Sequence, residues 1–172
     1  MRSTVTRRAA ILGGVAGGVG LTLNSSFALA QQASSLPLIT RPIPSSGEKL
    51  PVIGIGTNQF GVTAADEIAS RREVLDHLPK LGGSVVDTAR SYGESEVVIG
   101  NLVKELGNRE KLFIATKTPA RGETPPGPVA LEEAFTRLQT RKIDLLQIHS
   151  FRGIDELFPV LLDAKKEGKV RY

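Results

Sequence analysis

The strongest constraint on this chain is a period. Four short, apolar, largely β-branched runs recur along it: Pro51–Gly56 (PVIGIG), Ser84–Asp87 (SVVD), Leu112–Thr116 (LFIAT) and Ile143–His149 (IDLLQIH). Each reads as a buried parallel strand. The strand ends at Gly56, Asp87, Lys117 and His149 are 31, 30 and 32 residues apart, the length of one strand–helix unit. Between them Ala65–Lys80, Ser95–Leu106 and Val129–Gln139 place apolar residues at helical spacing, as in Leu131, Phe135 and Leu138. Gly82-Gly83 and Gly107 stand where helix C-caps belong, and Pro128 is placed to begin a helix. Alternating β and α at this period predicts a parallel sheet, either doubly wound or a (β/α)8 barrel.

The first turn separates the two. A doubly wound sheet that binds a dinucleotide uses three glycines, for a tight turn and for close approach of backbone to pyrophosphate. Here Gly54-Ile55-Gly56-Thr57-Asn58-Gln59 has two, with Gln59 at the third position. In a barrel, chemistry gathers at the C-terminal ends of the strands. The polar residues stand there: Asp87 ends the second run, Tyr92 follows in its loop, Lys117 ends the third run and His149 the fourth.

Each of these has a bland reading. A lone Asp after a strand is often a helix N-cap, a strand-end Lys is usually solvated, and a His after an apolar run is more often structural. Together they form a charge-complementary set at equivalent positions of successive units. Lys117 near an apolar interior needs a partner, and Asp87 on the neighbouring strand is available. A cation beside a phenol favours phenolate, so Lys117 makes Tyr92 the better proton donor. With His149 this forms an acid and clamp for a carbonyl.

Composition removes other chemistries. The absence of Cys excludes disulfides, thiolate metal sites and a cysteine nucleophile, and with only His77 and His149 a histidine-rich metal site is not expected. The net charge of +4 does not mark a nucleic-acid surface. Arg2, Arg7 and Arg8 lie in a first thirty residues without an acid, and the remainder carries 19 basic against 18 acidic residues. The basic residues belong to a targeting segment. Met1–Arg8 is cationic, Ala9–Leu23 is uncharged and mildly hydrophobic, and Ala28-Leu29-Ala30 forms a small-x-small site before Gln31. Residues 1–30 therefore read as a cleaved signal peptide, with no stable membrane anchor expected. Arg7-Arg8 before a glycine-rich core is similar to a twin-arginine signal, which predicts export of a folded protein by that machinery to the periplasm. Residues 31–46, with Pro37, Pro42 and Pro44, read as a linker, and 47–172 as the domain.

Asp87-Thr88-Ala89, Tyr92-Gly93, Ser95-Glu96 and Ile99-Gly100, with Gly54-Ile55-Gly56-Thr57, Ala115-Thr116-Lys117, the Asp144–His149 run and Lys166–Tyr172, give the stretch from about Leu50 to Tyr172 a resemblance to the aldo-keto reductases. The resemblance implies a barrel in which Tyr92 is the general acid, Asp87 and Lys117 tune it, and His149 orients a small carbonyl substrate. Hydride would come from NADPH, with NADH the alternative. Gly56, Thr57 and Asp87 would lie along the cofactor. Asn58 stands where many members carry a Trp facing the substrate, so the expected substrate pocket is Asn58, Tyr92 and His149.

Members of that family continue past the Lys-Val-Arg-Tyr strand into further units, so about four of eight strand–helix units are expected here. The leading reading is the N-terminal half of a carbonyl reductase, whose activity belongs to the complete barrel. Gln31–Tyr172 by itself is expected to aggregate, remain partly molten or self-associate, without saturable NADPH binding at micromolar concentration. Alternatives from other classes are a non-catalytic half-barrel module and a Schiff-base lyase using Lys117.

Overall fold

The structure, a computed structural model, describes residues 37–118, 127–151 and 153–172. The signal-peptide reading of residues 1–30 lies outside them. A hairpin comes first, with β1 (Thr40–Pro42) antiparallel to β2 (Lys49–Pro51). The alternating part follows as β3 (Ile55–Gly56), α1 (Ala65–Lys80), β4 (Val85–Asp87), α2 (Ser95–Leu106), β5 (Phe113–Thr118), α3 (Gly127–Arg137), β6 (Leu145–Ile148) and α4 (Ile154–Lys166).

The sheet is parallel throughout, in the order β3-β4-β5-β6. Lys169–Tyr172 runs parallel alongside β6, joined by an isolated bridge between Ile143 and Val170. Arg171 N donates to the Ile143 carbonyl at 3.1 Å, Tyr172 N to that of Asp144 at 2.9 Å, and Leu146 N to that of Tyr172 at 2.9 Å. Strand order follows chain order with no reversal, whereas a doubly wound sheet reverses at its switch point. The topology is that of the N-terminal half of a (β/α)8 barrel.

Register sorts the side chains into two layers. Asp87 pairs with Ala115, and Ala115 with Leu145, so these residues share one face. The alternate residues Val86, Ile114 and Thr116 are fully buried under the helices. There they join Leu75, Ile99, Leu102, Leu131 and Leu138 in the main core. Each such aliphatic side chain contributes about 1.5–3 kcal/mol when fully removed from water. Gly100 permits the closest helix contact: a Cβ on it would stand 2.2 Å from the Arg137 carbonyl oxygen. Gly107 ends α2 in the left-handed region at φ 60°, where a side chain is unfavourable.

The boundaries of α1 and α2 agree with the sequence reading, and several others differ. The predicted strand Pro51–Gly56 is two elements, because Pro51 closes the hairpin and Gly54 then passes so near β4 that a Cβ would lie 2.8 Å from Val85 Cβ. Within the stretch 31–46 read as linker, Thr40–Pro42 is a paired strand. β5 extends to Thr118, so Lys117 is its penultimate residue. His149 lies one residue past β6 and opens the short 3-10 turn His149–Phe151. α3 begins at Gly127 with Pro128 in its first turn and ends at Arg137, two residues before Gln139.

Candidate active site

Three adjacent strands deliver the reactive groups to one end of the sheet. Each strand is staggered two residues past its neighbour: Asp87 is level with Ala115, and Lys117 with Gln147. Because side chains alternate along a strand, an offset of two keeps Asp87 and Lys117 on the same face while stepping around the rim. His149 continues the staircase at the mouth of β6.

Asp87 and Lys117 meet directly. Lys117 Nζ donates to both Asp87 carboxylate oxygens, at 2.9 and 2.7 Å, and to the Thr88 carbonyl at 2.9 Å. An ammonium has three protons, and all three have acceptors here. The lysine side chain is 17% exposed and the aspartate 41% exposed. Lys117 Nζ also stands 5.1 Å from the centre of the Tyr92 ring, within cation–π range. The lysine's described hydrogen bonds all go to Asp87 and Thr88, and its contact with Tyr92 is to the face of the ring.

Tyr92 lies on the loop after β4. Its N–H donates to the Ala89 carbonyl at 3.1 Å, and its own carbonyl accepts from Ser95 N at 3.1 Å, where α2 starts. His149 meets it edge to face, with ring centres 6.5 Å apart and planes at 87°. The structure thus gathers Asp87, Tyr92, Lys117 and His149 at one rim.

The loop is braced from behind. Arg137 on α3 donates to the Gly93 carbonyl and, through Nε, to Glu96 at 3.1 Å. Thr116 Oγ1 donates to the other Glu96 oxygen at 2.7 Å. The Glu96 side chain is fully buried, and burial pushes its carboxyl above the usual range, opposed by Thr116 and Arg137. Sequence reasoning named Glu96 only within a motif and gave Arg137 no role. One turn of α2 and a distant helix had to be placed before the brace was visible.

The residues expected along the cofactor divide. Gly56 pairs with Asp87 across the sheet, is exposed, and has no heavy atom within 4 Å of where a Cβ would project. The Thr57 side chain faces inward. It is completely buried, its hydroxyl donates to the Asp87 carbonyl at 2.9 Å, and its carbonyl accepts from Ser95 Oγ at 2.9 Å. Thr57 is an interior strut between the first two strand ends and α2. Asn58 is exposed beside it.

Two contributors were missed. Thr88 holds Lys117 through its carbonyl, and every residue has a carbonyl, so no side-chain signal marks it. Ser91 Oγ lies 3.2 Å from His149 Nδ1. Its place just before Tyr92 was the available hint.

Comparison with known proteins gives the family. The aldo/keto reductase family model matches residues 52–172. Norsolorinic acid reductase B of Aspergillus parasiticus is 29% identical over 168 residues, covering 81% of this chain and 44% of that protein. Among solved structures, an aldo-keto reductase from Pseudomonas aeruginosa is 30% identical with a TM-score of 0.62, covering 77% of this chain and 56% of its own. An aldo/keto reductase from Klebsiella pneumoniae, solved with NADP and acetate, is 26% identical with a TM-score of 0.61, covering 73% and 45%. The chain spans less than half the length of the curated relative. Strand order, rim residues and the match over residues 52–172 lead to one assignment: the chain belongs to the aldo/keto reductase family.

Proposed function

We propose that this chain carries the proton-donating and carbonyl-orienting part of an NADPH-dependent oxidoreductase that reduces aldehydes or ketones to alcohols. The observation that carries the reading is the saturated Lys117 ammonium, held by Asp87 and Thr88 beside the Tyr92 ring with His149 at that ring's edge. NADPH is the proposed reductant, NADH its chemical alternative. Gly56, next to Asp87 on the rim, has open space where a side chain would project, so its backbone is free to be approached by the cofactor. When bound, the reduced nicotinamide supplies hydride to the carbonyl carbon.

The residues do the rest. His149 donates a hydrogen bond to the carbonyl oxygen and fixes its direction. Tyr92 gives its phenolic proton to that oxygen as negative charge develops there, and the resulting phenolate is stabilised by Lys117. Asp87 holds Lys117 in place and balances its charge. Gly56 and the Asp87 carboxylate border the cofactor, while Asn58, Tyr92 and His149 border the substrate. A lyase would need the free amine of Lys117 as nucleophile, and the three acceptors around its ammonium oppose that.

The reaction is proposed for the barrel in which this chain is continued by the remaining strand–helix units. Joining the chain to those units of the Pseudomonas aeruginosa relative gives a completed barrel for assay. It should oxidise NADPH only when an aldehyde or ketone is present, with one deuterium passing from labelled cofactor to the carbinol carbon. Failure of that transfer, or borohydride trapping of a substrate on Lys117, defeats the reading. Export is proposed separately for residues 1–30. Changing Arg7 and Arg8 to lysine should stop translocation, and periplasmic product from that variant would leave an ordinary secretory signal.

A further inference from the structure

The two histidines of this chain face different kinds of hydrogen-bond partner, and the difference bears on the site. His77 Nδ1 lies 2.8 Å from the Glu73 carbonyl. A carbonyl oxygen can only accept, so His77 Nδ1 carries the proton and its Nε2 is bare when the ring is neutral. His149 Nδ1 instead meets a hydroxyl, Ser91 Oγ, at 3.2 Å. A hydroxyl can donate or accept, and this contact is the described side-chain partner of both groups.

We infer that Ser91 is a positioning residue which donates its hydroxyl proton to His149 Nδ1 and holds the imidazole as the Nε2–H tautomer. This rests on the carbonyl-reducing reading above. A neutral imidazole carries one N–H, and a substrate carbonyl can only accept. If Nδ1 carried the proton and donated to Ser91, the Nε2 lone pair would face the carbonyl oxygen and repel it. With Ser91 as donor, Nδ1 is the acceptor and Nε2–H remains available to the substrate. The arrangement also couples two elements. Ser91 is the immediate neighbour of Tyr92 on the loop after β4, while His149 opens the turn after β6. A single contact therefore links the peptide carrying the acid to the ring that aims the carbonyl.

The test is nitrogen NMR of the completed barrel labelled with 15N-histidine, recorded at alkaline pH where imidazole is neutral. His77→Gln and His149→Gln assign the two signals of interest. His77 should show a protonated Nδ1 and His149 a protonated Nε2, so the spectrum carries its own reference for each tautomer. Ser91→Ala should turn the His149 signal into a mixture of tautomers and leave His77 unchanged. Ser91→Thr, which keeps the hydroxyl, should restore the Nε2–H form. In the completed barrel Ser91→Ala should lower kcat/KM by about three- to tenfold, the size of one net hydrogen bond, with Ser91→Thr close to the unaltered enzyme. A His149 that carries its proton on Nδ1, averages both tautomers in the unaltered chain, or does not respond to Ser91→Ala overturns the inference. Those outcomes leave the carbonyl-reducing reading to its own deuterium-transfer test.

Discussion

The two ends of the parallel strands carry similar residues and treat them differently. At the N-terminal end, Arg109 donates to the Leu112 and Lys142 carbonyls at 2.9 and 2.7 Å, to Thr140 Oγ1 at 3.2 Å and to Asp144 at 2.8 Å. Asp144 is 7% exposed and also accepts from Ile114 N at 2.9 Å and from Arg171 at 2.8 Å. Arg171 reaches Glu48 of the hairpin, and the Tyr172 hydroxyl donates to Glu48 at 2.7 Å. Protein groups meet the hydrogen-bonding capacity of the central carboxylate there. At the C-terminal rim Lys117 is likewise saturated, yet among the described residues the Tyr92 hydroxyl and His149 Nε2 have no protein partner. Residue type does not separate structure from chemistry here. What separates them is whether donors are satisfied internally or left to face a ligand.

Breaking the lower network should have the largest effect on stability. Asp144→Ala leaves Arg109, Arg171 and the Ile114 N–H short of an acceptor, and should cost about 3 kcal/mol or more in urea unfolding of the completed barrel. Turnover per folded molecule should hardly change. An Asp144→Ala protein as stable as its parent would remove the distinction between the two ends.

Gly100→Ala comes next. The added methyl meets backbone at 2.2 Å, so α2 and α3 must separate, at a cost of about 1–3 kcal/mol. Because Arg137 then shifts away from Gly93 and Glu96, this variant should also loosen the loop bearing Tyr92, read as faster amide exchange over residues 88–94. Unchanged exchange there would show that the brace does not position the acid.

Lys117→Met sharpens the contrast, since it removes a saturated cation from the rim. Its stability cost should be only about 1 kcal/mol, because Asp87 is half-exposed and can rehydrate. Turnover should fall at least about tenfold while KM moves little. A rise in KM without loss of kcat would make Lys117 a binding group.

The smallest effect concerns Glu96. Its folded-state pKa is raised, first by burial, so its contribution to stability is fully present below the ordinary carboxylate range and is lost as pH rises through the folded value. Glu96→Gln should therefore gain on the parent in unfolding free energy as pH rises from about 4 to 7, the span starting near the reference value for Glu. A difference that runs the other way would mean that the Arg137 bond outweighs burial.

The repeat and the rim were legible in the sequence for a definite reason. Strand ends recur every thirty or so residues, and position at a strand end is what makes Asp87, Lys117 and His149 converge. The bounds of α1 and α2 could be read because apolar periodicity is clear in both and α2 ends at a glycine. The hairpin was hidden because Thr40–Pro42 is short, exposed and rich in neighbouring prolines, which is also how linkers read. The interior position of Thr57 was hidden because its partners, the Asp87 carbonyl and Ser95, are 30 and 38 residues away. α4 carries Pro159 and was not foreseen as a helix. The brace of Glu96 and Arg137 depends on the crossing of α2 and α3 at Gly100, a tertiary contact that no local pattern encodes.

The central claim is that the upper rim serves chemistry and the lower network serves stability, and one variant tests it most directly. Tyr92→Phe in the completed barrel removes a single hydroxyl that holds no described protein partner. Carbonyl-dependent NADPH oxidation and urea unfolding should be measured on the same sample. Turnover should fall by at least about 100-fold, as expected for loss of the general acid, while stability changes by less than about 0.5 kcal/mol. Turnover retained within about tenfold, which is roughly 1.4 kcal/mol of barrier, would contradict the assignment of Tyr92 as the proton donor.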